Sequence, residues 1–267
     1  MTIRTGIGGW TYPAWRGGTF YPKGLRQADE QAYATRAVSV IEINATFYRV
    51  QKPESFAAWR GVAPRGFVYS LKGSRFVTNR KVLATAEEPM KRFMAQGLTE
   101  LGDMLGPIVW QLAATKRFEP DDVAAFFALL PRAHEGTPLR HAIEVGHESF
   151  ACAEFVALAR KAQVAIVYSE AANRAPIADR TANFAYLRLQ DMRSDCVTGY
   201  PPAGLDRIAQ QCRKWAAGEA PPSLPYAGKP ADSEGYAGEV FAMMINGAKE
   251  RAPAAAIALA ERVGEPT

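Results

Sequence analysis

The chain has 267 residues, of which 48% are hydrophobic and 22% charged, and its formal net charge is +5. Such a length and apolar content can bury a sizeable core and exclude a disordered chain, and they suit either two average domains or one α/β barrel of roughly 250 residues. The basic balance permits anionic ligands or nucleic acid, but Lys and Arg are dispersed rather than gathered into one run.

Three cysteines, Cys152, Cys196 and Cys212, form no C-x-x-C pair and suit a reducing compartment. The start MTIRTGIGGW lacks the apolar core of a signal peptide, and no apolar run approaches the ~18 residues of a membrane span. The expected location is therefore cytoplasmic, with no membrane partner.

In chain order, short β-branched or aromatic runs alternate with longer amphipathic ones, the pattern of repeated βα units around a parallel sheet. Strands are expected near 3–9, 38–44, 66–72, 107–112, 139–145, 164–169, 183–189 and 239–246. Helical periodicity fits 28–37, 54–61, 88–104, 120–130, 151–162, 203–217 and 253–263. The sixth helix, after the sixth strand, is short or irregular. Glu119-Pro120-Asp121-Asp122 places proline and acids in a helix's first turn, while Gly61 and Gly218 stand where helices should stop. No repeat or linker divides the chain, so residues 1–267 are expected to form a single (β/α)8 TIM-type barrel domain. Residues 218–236, rich in Pro, Gly and Ser, form a surface loop before the last strand, on the face opposite a barrel's active site.

Strand alternation then assigns the polar groups. In VIEINATFY, Val40, Glu42 and Asn44 share one face and Ile41 and Ile43 the other, so a greasy strand ends in a carboxylate and an amide on the same side. The same rule puts Lys72, Gln111, Glu144, Glu170, Arg188 with Gln190, and Asn246 at the inward C-terminal ends of their strands. Buried charges need partners, so this ring is expected either to form a linked salt-bridge layer or to contact a ligand, and the C-terminal face of a barrel favours the ligand.

The loops add further candidates. WTYPAWRGGTFYP supplies several rings, most of them expected to be local core, with Trp10 and, after the second strand, Tyr48 the better ligand-stacking candidates. Lys72-Gly73-Ser74-Arg75 joins two cations to exposed backbone N–H groups, a setting for phosphate or carboxylate, and a desolvated Lys72 also has the chemistry of a Schiff-base nucleophile. Glu144 and His147, in IEVGHESF, are the acid–base candidates, with Glu42 a second carboxylate. Only His134, His141 and His147 are present, which argues against a multi-zinc site, and no metal is assigned. There is no G-x-x-x-x-G-K-[ST] loop, no G-x-S-x-G elbow and no dinucleotide fingerprint, so no cofactor is expected.

Taken in order, GGWTYPAWRGGTFYP, VIEINATFYR, FVYSLKGSRFVT, LGPIVWQL, IEVGHESF and TANFAYLRLQ resemble the YecE-like family, also termed domain of unknown function 72, over nearly the whole chain. The resemblance implies a TIM-type barrel and no established reaction. The chain departs from the family pattern at Thr78-Asn79, where Thr-His is common, at Gly146-His147 for Arg-His, and at Glu170 for Asp. It also departs at Gln190-Asp191 for His-Gly and at Ile245-Asn246-Gly247 for Asn-Asn-Asp. With Gly146 inward by alternation, the usual guanidinium is expected to be missing from this mouth.

The functional expectation is a barrel enzyme acting on a small polar or anionic ligand, sugar-like or nucleotide-derived. Lys72 and Arg188 are its anion clamps, helped by Arg75, and Asn44, Gln111 and Asn246 are orienting amides. Hydrolase, isomerase and lyase chemistry all fit. The alternative is a non-catalytic barrel that binds a ligand or nucleic acid.

Overall fold

Runs such as Val40–Ile43 and Val68–Lys72 are too short and too β-branched to make helices, and each hydrogen-bonds in parallel to its neighbours. The computed structural model describes residues 2–230 and 236–264. Its strands in chain order are β1 (Ile3–Gly8), β2 (Val40–Ile43), β3 (Val68–Lys72), β4 (Leu105–Gln111), β5 (Ala133–His134), β6 (Thr137–Pro138), β7 (His141–Glu144), β8 (Ala165–Ser169), β9 (Phe184–Leu189) and β10 (Glu239–Met244). β5 and β6 form an antiparallel hairpin that the periodicity did not signal; the other eight close into a parallel barrel, with β1 paired to both β2 and β10. The helices are α1 (Glu30–Ala37), α2 (Ala45–Tyr48), α3 (Pro53–Val62), α4 (Arg75–Thr78), α5 (Glu87–Met94), α6 (Pro120–Leu129), α7 (Ala153–Ala162), α8 (Pro202–Ala216) and α9 (Ala252–Val263). This is a (β/α)8 TIM-type fold. None of these helices is long and apolar enough to cross a membrane.

Two buried clusters follow from the period-two pattern. Val40, Val109, Ala142, Val167, Phe241 and Met243 fill the barrel axis, while Ile41, Leu71, Trp110, Ile143 and Leu187 face outward beneath the helices. His141 also belongs to the outer layer: its Nδ1 accepts from Trp110 Nε1 at 3.1 Å, and burial lowers its pKa to about 4.

Several boundaries differ from those expected. The helix anticipated over 88–104 stops at Met94, because Gly97 (φ 89°) and Gly102 (φ 55°) turn the backbone into the left-handed region, leaving a 3-10 segment over Leu98–Met104. Gly61 lies within the last turn of α3 rather than ending it, whereas Gly218 (φ 79°) does follow the end of α8. Among the described residues no helix forms between β8 and β9; residues 170–183 run irregularly, and Pro176 disfavours helix at Ala175. Of the loop expected over 218–236, residues 231–235 lie outside the described residues. Its earlier part is tied down by Asp179, whose carboxylate accepts from Ala227 N (2.7 Å) and Gly228 N (3.2 Å).

Two glycines test these packing arguments. A Cβ on Gly6 would lie 1.9 Å from the carbonyl oxygen of Val40, its register partner on β2, whereas one on Gly61 meets nothing within 4 Å. Gly6→Ala is therefore expected to lose about 1–3 kcal/mol through overpacking, and Gly61→Ala to gain about 0.5–1 kcal/mol from helix propensity, both measured by urea unfolding. Equal effects at the two sites would refute the strand–strand approach as the reason for Gly6.

Candidate functional site at the barrel mouth

The inward positions at the C-terminal strand ends converge as alternation requires. Arg188 on β9 donates through Nη2 to Glu42 Oε1 (3.0 Å) and through Nη1 to Glu144 Oε2, bridging β2 and β7 across the axis. Burial alone would lower the guanidinium's proton affinity, but Glu144 and Glu42 raise it, so Arg188 is held as a cation. Tyr186, two residues before Arg188, donates to the second Glu42 oxygen at 2.9 Å. Its hydroxyl also lies 3.0 Å from that of Ser70, which in turn donates to the Pro107 carbonyl at 2.8 Å. Burial, and then Glu42, push the Tyr186 phenol well above its ordinary range, so it remains a donor.

Glu144 is supported from both sides, because Gln111 and Glu144 are register partners, as are Ser169 and Arg188. Gln111 Nε2 donates to Glu144 Oε2 at 2.5 Å and Ser169 Oγ to Oε1 at 3.1 Å. Gln190 Nε2 donates to Ser169 Oγ (2.9 Å), and Asn246 Nδ2 to Gln190 Oε1 (2.7 Å), so a chain of side chains runs from an exposed amide to the buried carboxylate. Burial pushes the Glu144 carboxyl upward, but Arg188, Arg174 and the hydrogen bonds outweigh it and leave the carboxyl below its ordinary range.

Glu42, Glu144 and Arg188 are 0%, 0% and 1% exposed, so this layer is sealed. Arg188, expected as an anion clamp, instead spends both Nη groups on the two carboxylates, while its buried Nε finds no hydrogen-bond partner among the described residues. Above the layer stands Lys72, 9% exposed, whose Nζ lies 4.5 Å from the centroid of the Phe47 ring. Local structure holds this pair. The buried Thr46 hydroxyl lies 2.7 Å from the Lys72 carbonyl and so ties the one-turn α2, which carries Phe47, to the end of β3. The Lys72 ammonium makes no hydrogen bond or ion pair with another described residue. Desolvation lowers its pKa; Glu42 and Glu144 oppose that, while Arg188 and Arg174 add to it.

Arg174 is the mouth residue that the sequence reading missed. It lies in the irregular segment after β8, donates Nη1 to the Leu112 carbonyl at 2.7 Å, and acts electrostatically on Glu144, Arg188 and Lys72. The site therefore contains a guanidinium from a position that no strand pattern marks. Gly146 is not an empty inward position: a Cβ there would lie 2.4 Å from Ala114 Cα, in the loop after β4.

Other candidates are placed elsewhere. His147 does not meet Glu144; its Nδ1 accepts from Ser149 N (3.1 Å) and lies 3.0 Å from the Ser149 hydroxyl, capping a short 3-10 turn. Glu170, past the end of β8, accepts from Tyr200 Oη (2.7 Å) and Gln190 N (3.1 Å), clasping the loop after β9, and burial raises its pKa. Trp10 packs edge-on against Trp59 at 5.9 Å, Tyr48 is 57% exposed beside Phe47, and Arg75 lies over the neighbouring Phe76 ring. Asn44 stands just beyond β2 with its amide nitrogen near Gly8. Trp15 and Tyr21 of the first loop are buried core. Among the described residues no three His, Cys, Asp or Glu side chains are grouped as a metal-ligand set.

The family model described as "Protein of unknown function DUF72" matches residues 4–267. The chain belongs to the DUF72 family. Its fold is similar to that of a DUF72 family protein from Thermotoga maritima, at 19% identity and TM-score 0.75, covering 99% of this chain and 100% of that one. A DUF72 family protein from Enterococcus faecalis is similar at 15% identity and TM-score 0.71, covering 99% and 98%. These likenesses bear on fold alone. No curated protein matches the chain.

The sealed layer of this DUF72 barrel has a measurable consequence. Arg188→Met would strand two buried carboxylates and is expected to cost about 3–5 kcal/mol. Glu144 lies below its ordinary 4.5 in the folded state, so the stability from its charge is complete above that value and is lost as pH falls through the folded pKa. The stability gap between wild type and Glu144→Gln, read by urea unfolding from pH 7 downward, should therefore narrow on acidification. A gap independent of pH would show that the carboxylate charge does not stabilise the fold.

Proposed function

We propose that this barrel is an enzyme acting on a small polar anion, bound at the C-terminal mouth above the Glu42–Arg188–Glu144 layer and processed by acid–base chemistry. The observation that carries this reading is the Lys72 ammonium: it is desolvated at the end of a barrel strand and has no carboxylate partner. A buried cation without a partner is costly, and an anionic ligand would relieve that cost. Two carboxylates and one guanidinium leave the sealed layer at a formal −1, and adding Lys72 and Arg174 brings the group to +1. The balance favours an anion such as a carboxylate or phosphate ester over a neutral sugar. Gln111, Gln190 and Asn246 stand by as neutral groups able to orient hydroxyls. Lys72, its pKa drawn downward, is the mouth group suited to exchange a proton with such a ligand; Glu144 remains ionised and supports it. Isomerisation, lyase and hydrolytic reactions are all within this chemistry.

A second reading has an observation of its own. Beside the mouth, the loops after β3 and β4 line an open cavity of about 810 Å³ that includes Arg80, Lys81, Lys116 and Arg117. Lys116 is paired with Asp122 at 2.6 Å, which leaves three cations against one further acid, Glu119, a balance that suits a polyanion such as nucleic acid. Binding there would weaken steeply with salt and ignore Lys72.

Calorimetric titration with inorganic phosphate at low salt tests the first reading. Wild type is expected to bind, and Lys72→Met and Arg174→Met each to weaken binding by about tenfold or more. Binding that survives in the double variant, or disappears on replacing Arg80, Lys81 and Arg117 instead, would overturn the mouth as the anion site.

A further inference from the structure

Acid–base chemistry does not account for every feature of Lys72. A lysine that serves only as a charged clamp is usually met by a carboxylate or a ring of carbonyls, whereas here the ammonium is packed on the face of Phe47 and makes no hydrogen bond with another described residue. The lysine is inward on β3, 9% exposed, and its backbone is fixed by Thr46, so the amine has few conformations in which to meet a ligand. Both carboxylates beneath it are engaged with Arg188, so neither forms a direct ion pair with Lys72. Beside it, Arg174 commits one N–H to Leu112 and leaves Nε and Nη2 without a hydrogen bond to a described residue.

We propose that Lys72 forms an imine with a small carbonyl compound bearing a carboxylate or phosphate, the anionic group being held by Arg174. This rests on the anion-binding reading of the mouth and narrows its ligand to an oxo acid or a phosphorylated aldehyde or ketone. In the reaction the ammonium first gives up one proton. The Nζ lone pair attacks the carbonyl carbon as the C=O π pair moves to oxygen, and the carbinolamine then loses that oxygen as water. Starting from the ammonium, two of its three hydrogens leave in the water and the third stays on the iminium nitrogen, so charge and atoms balance. Desolvation by the barrel wall, reinforced by Arg188 and Arg174 against the pull of Glu42 and Glu144, lowers the cost of the first proton loss. The iminium is then an electron sink for bond cleavage at the adjacent carbon, which selects lyase or isomerase chemistry from the classes that the mouth allows.

Lys249 is the internal comparison. It too is drawn down by desolvation, packs on Tyr12 at 4.9 Å and is half-buried, but it stands outside the acid–guanidinium group. The test treats intact protein at neutral pH with glyoxylate, an aldehyde bearing a carboxylate, and traps any imine with sodium cyanoborohydride, which delivers hydride to the iminium carbon. Modified lysines are mapped by peptide mass spectrometry in wild type, Lys72→Arg and Lys72→Met, with circular dichroism to check that each variant is folded. The expected result is an adduct at Lys72 at least about tenfold above that at any other lysine, suppressed by phosphate and absent from both variants. Labelling spread over surface lysines, or concentrated at Lys249, overturns the imine. If phosphate still binds wild type in that case, the anion site stands without it; if phosphate binding also fails, both readings fall.

Discussion

The bridge from Arg188 to Glu42 and Glu144 is the interaction on which the rest of the mouth depends. A barrel interior is ordinarily filled with branched apolar side chains, and the lower layers here follow that rule with Val40, Val109, Val167 and Phe241. Two carboxylates brought into the same dry volume would repel each other and lose their hydration, so one guanidinium able to reach both is the condition for having either. The forked geometry of arginine meets that condition and an ammonium would not, since each carboxylate takes a separate Nη group. Tyr186, Gln111 and Ser169 then complete the remaining acceptor positions, which makes the layer rigid as well as neutralised in part.

That layer also sets the electrostatics above it. Because it is closed, the two acids act on Lys72 at a distance through their field rather than by contact. The same two carboxylates that moderate the Lys72 shift are prevented by Arg188 from capturing its ammonium. Burial thus draws the Lys72 ammonium's pKa downward while Arg188 keeps both carboxylates from pairing with it directly. Phe47 contributes by replacing water on one side of the ammonium with an aromatic face, at the small cost of ordering a four-residue helix.

How much of this was legible in the sequence depends on whether a residue lies inside a strand. Glu42, Lys72, Gln111, Glu144 and Arg188 all do, and there period-two alternation fixes direction, so their convergence follows from counting. Asn44, Glu170, Gln190 and Asn246 lie one or two residues past strand ends, where the rule no longer governs; Asn246 adopts φ 59°, and Glu170 turns to its own neighbouring loop. His147 is near Glu144 in sequence, but the backbone turns after β7 and gives the imidazole a capping role. Tyr186 and Ser169 follow from the same alternation, since each shares the inward phase of its strand.

Arg174 illustrates a different limit. It belongs to a stretch with no helical or strand period, in the βα unit whose helix is absent among the described residues, and nothing in its local sequence says that it returns to the axis. The neighbouring glycine explains the path. At Gly146 a side chain would collide with Ala114, and the Gly146 carbonyl accepts the backbone N–H of Ala175 at 2.8 Å, so the loops after β4, β7 and β8 close directly on one another. That contact fixes the residue immediately after Arg174, and the Leu112 carbonyl fixes the guanidinium itself. A residue with a Cβ at 146 would push these three loops apart and withdraw Arg174 from Glu144 and Lys72. The glycine that reads in sequence as the loss of a positive group is, in the folded chain, what allows a guanidinium to enter from the adjacent loop.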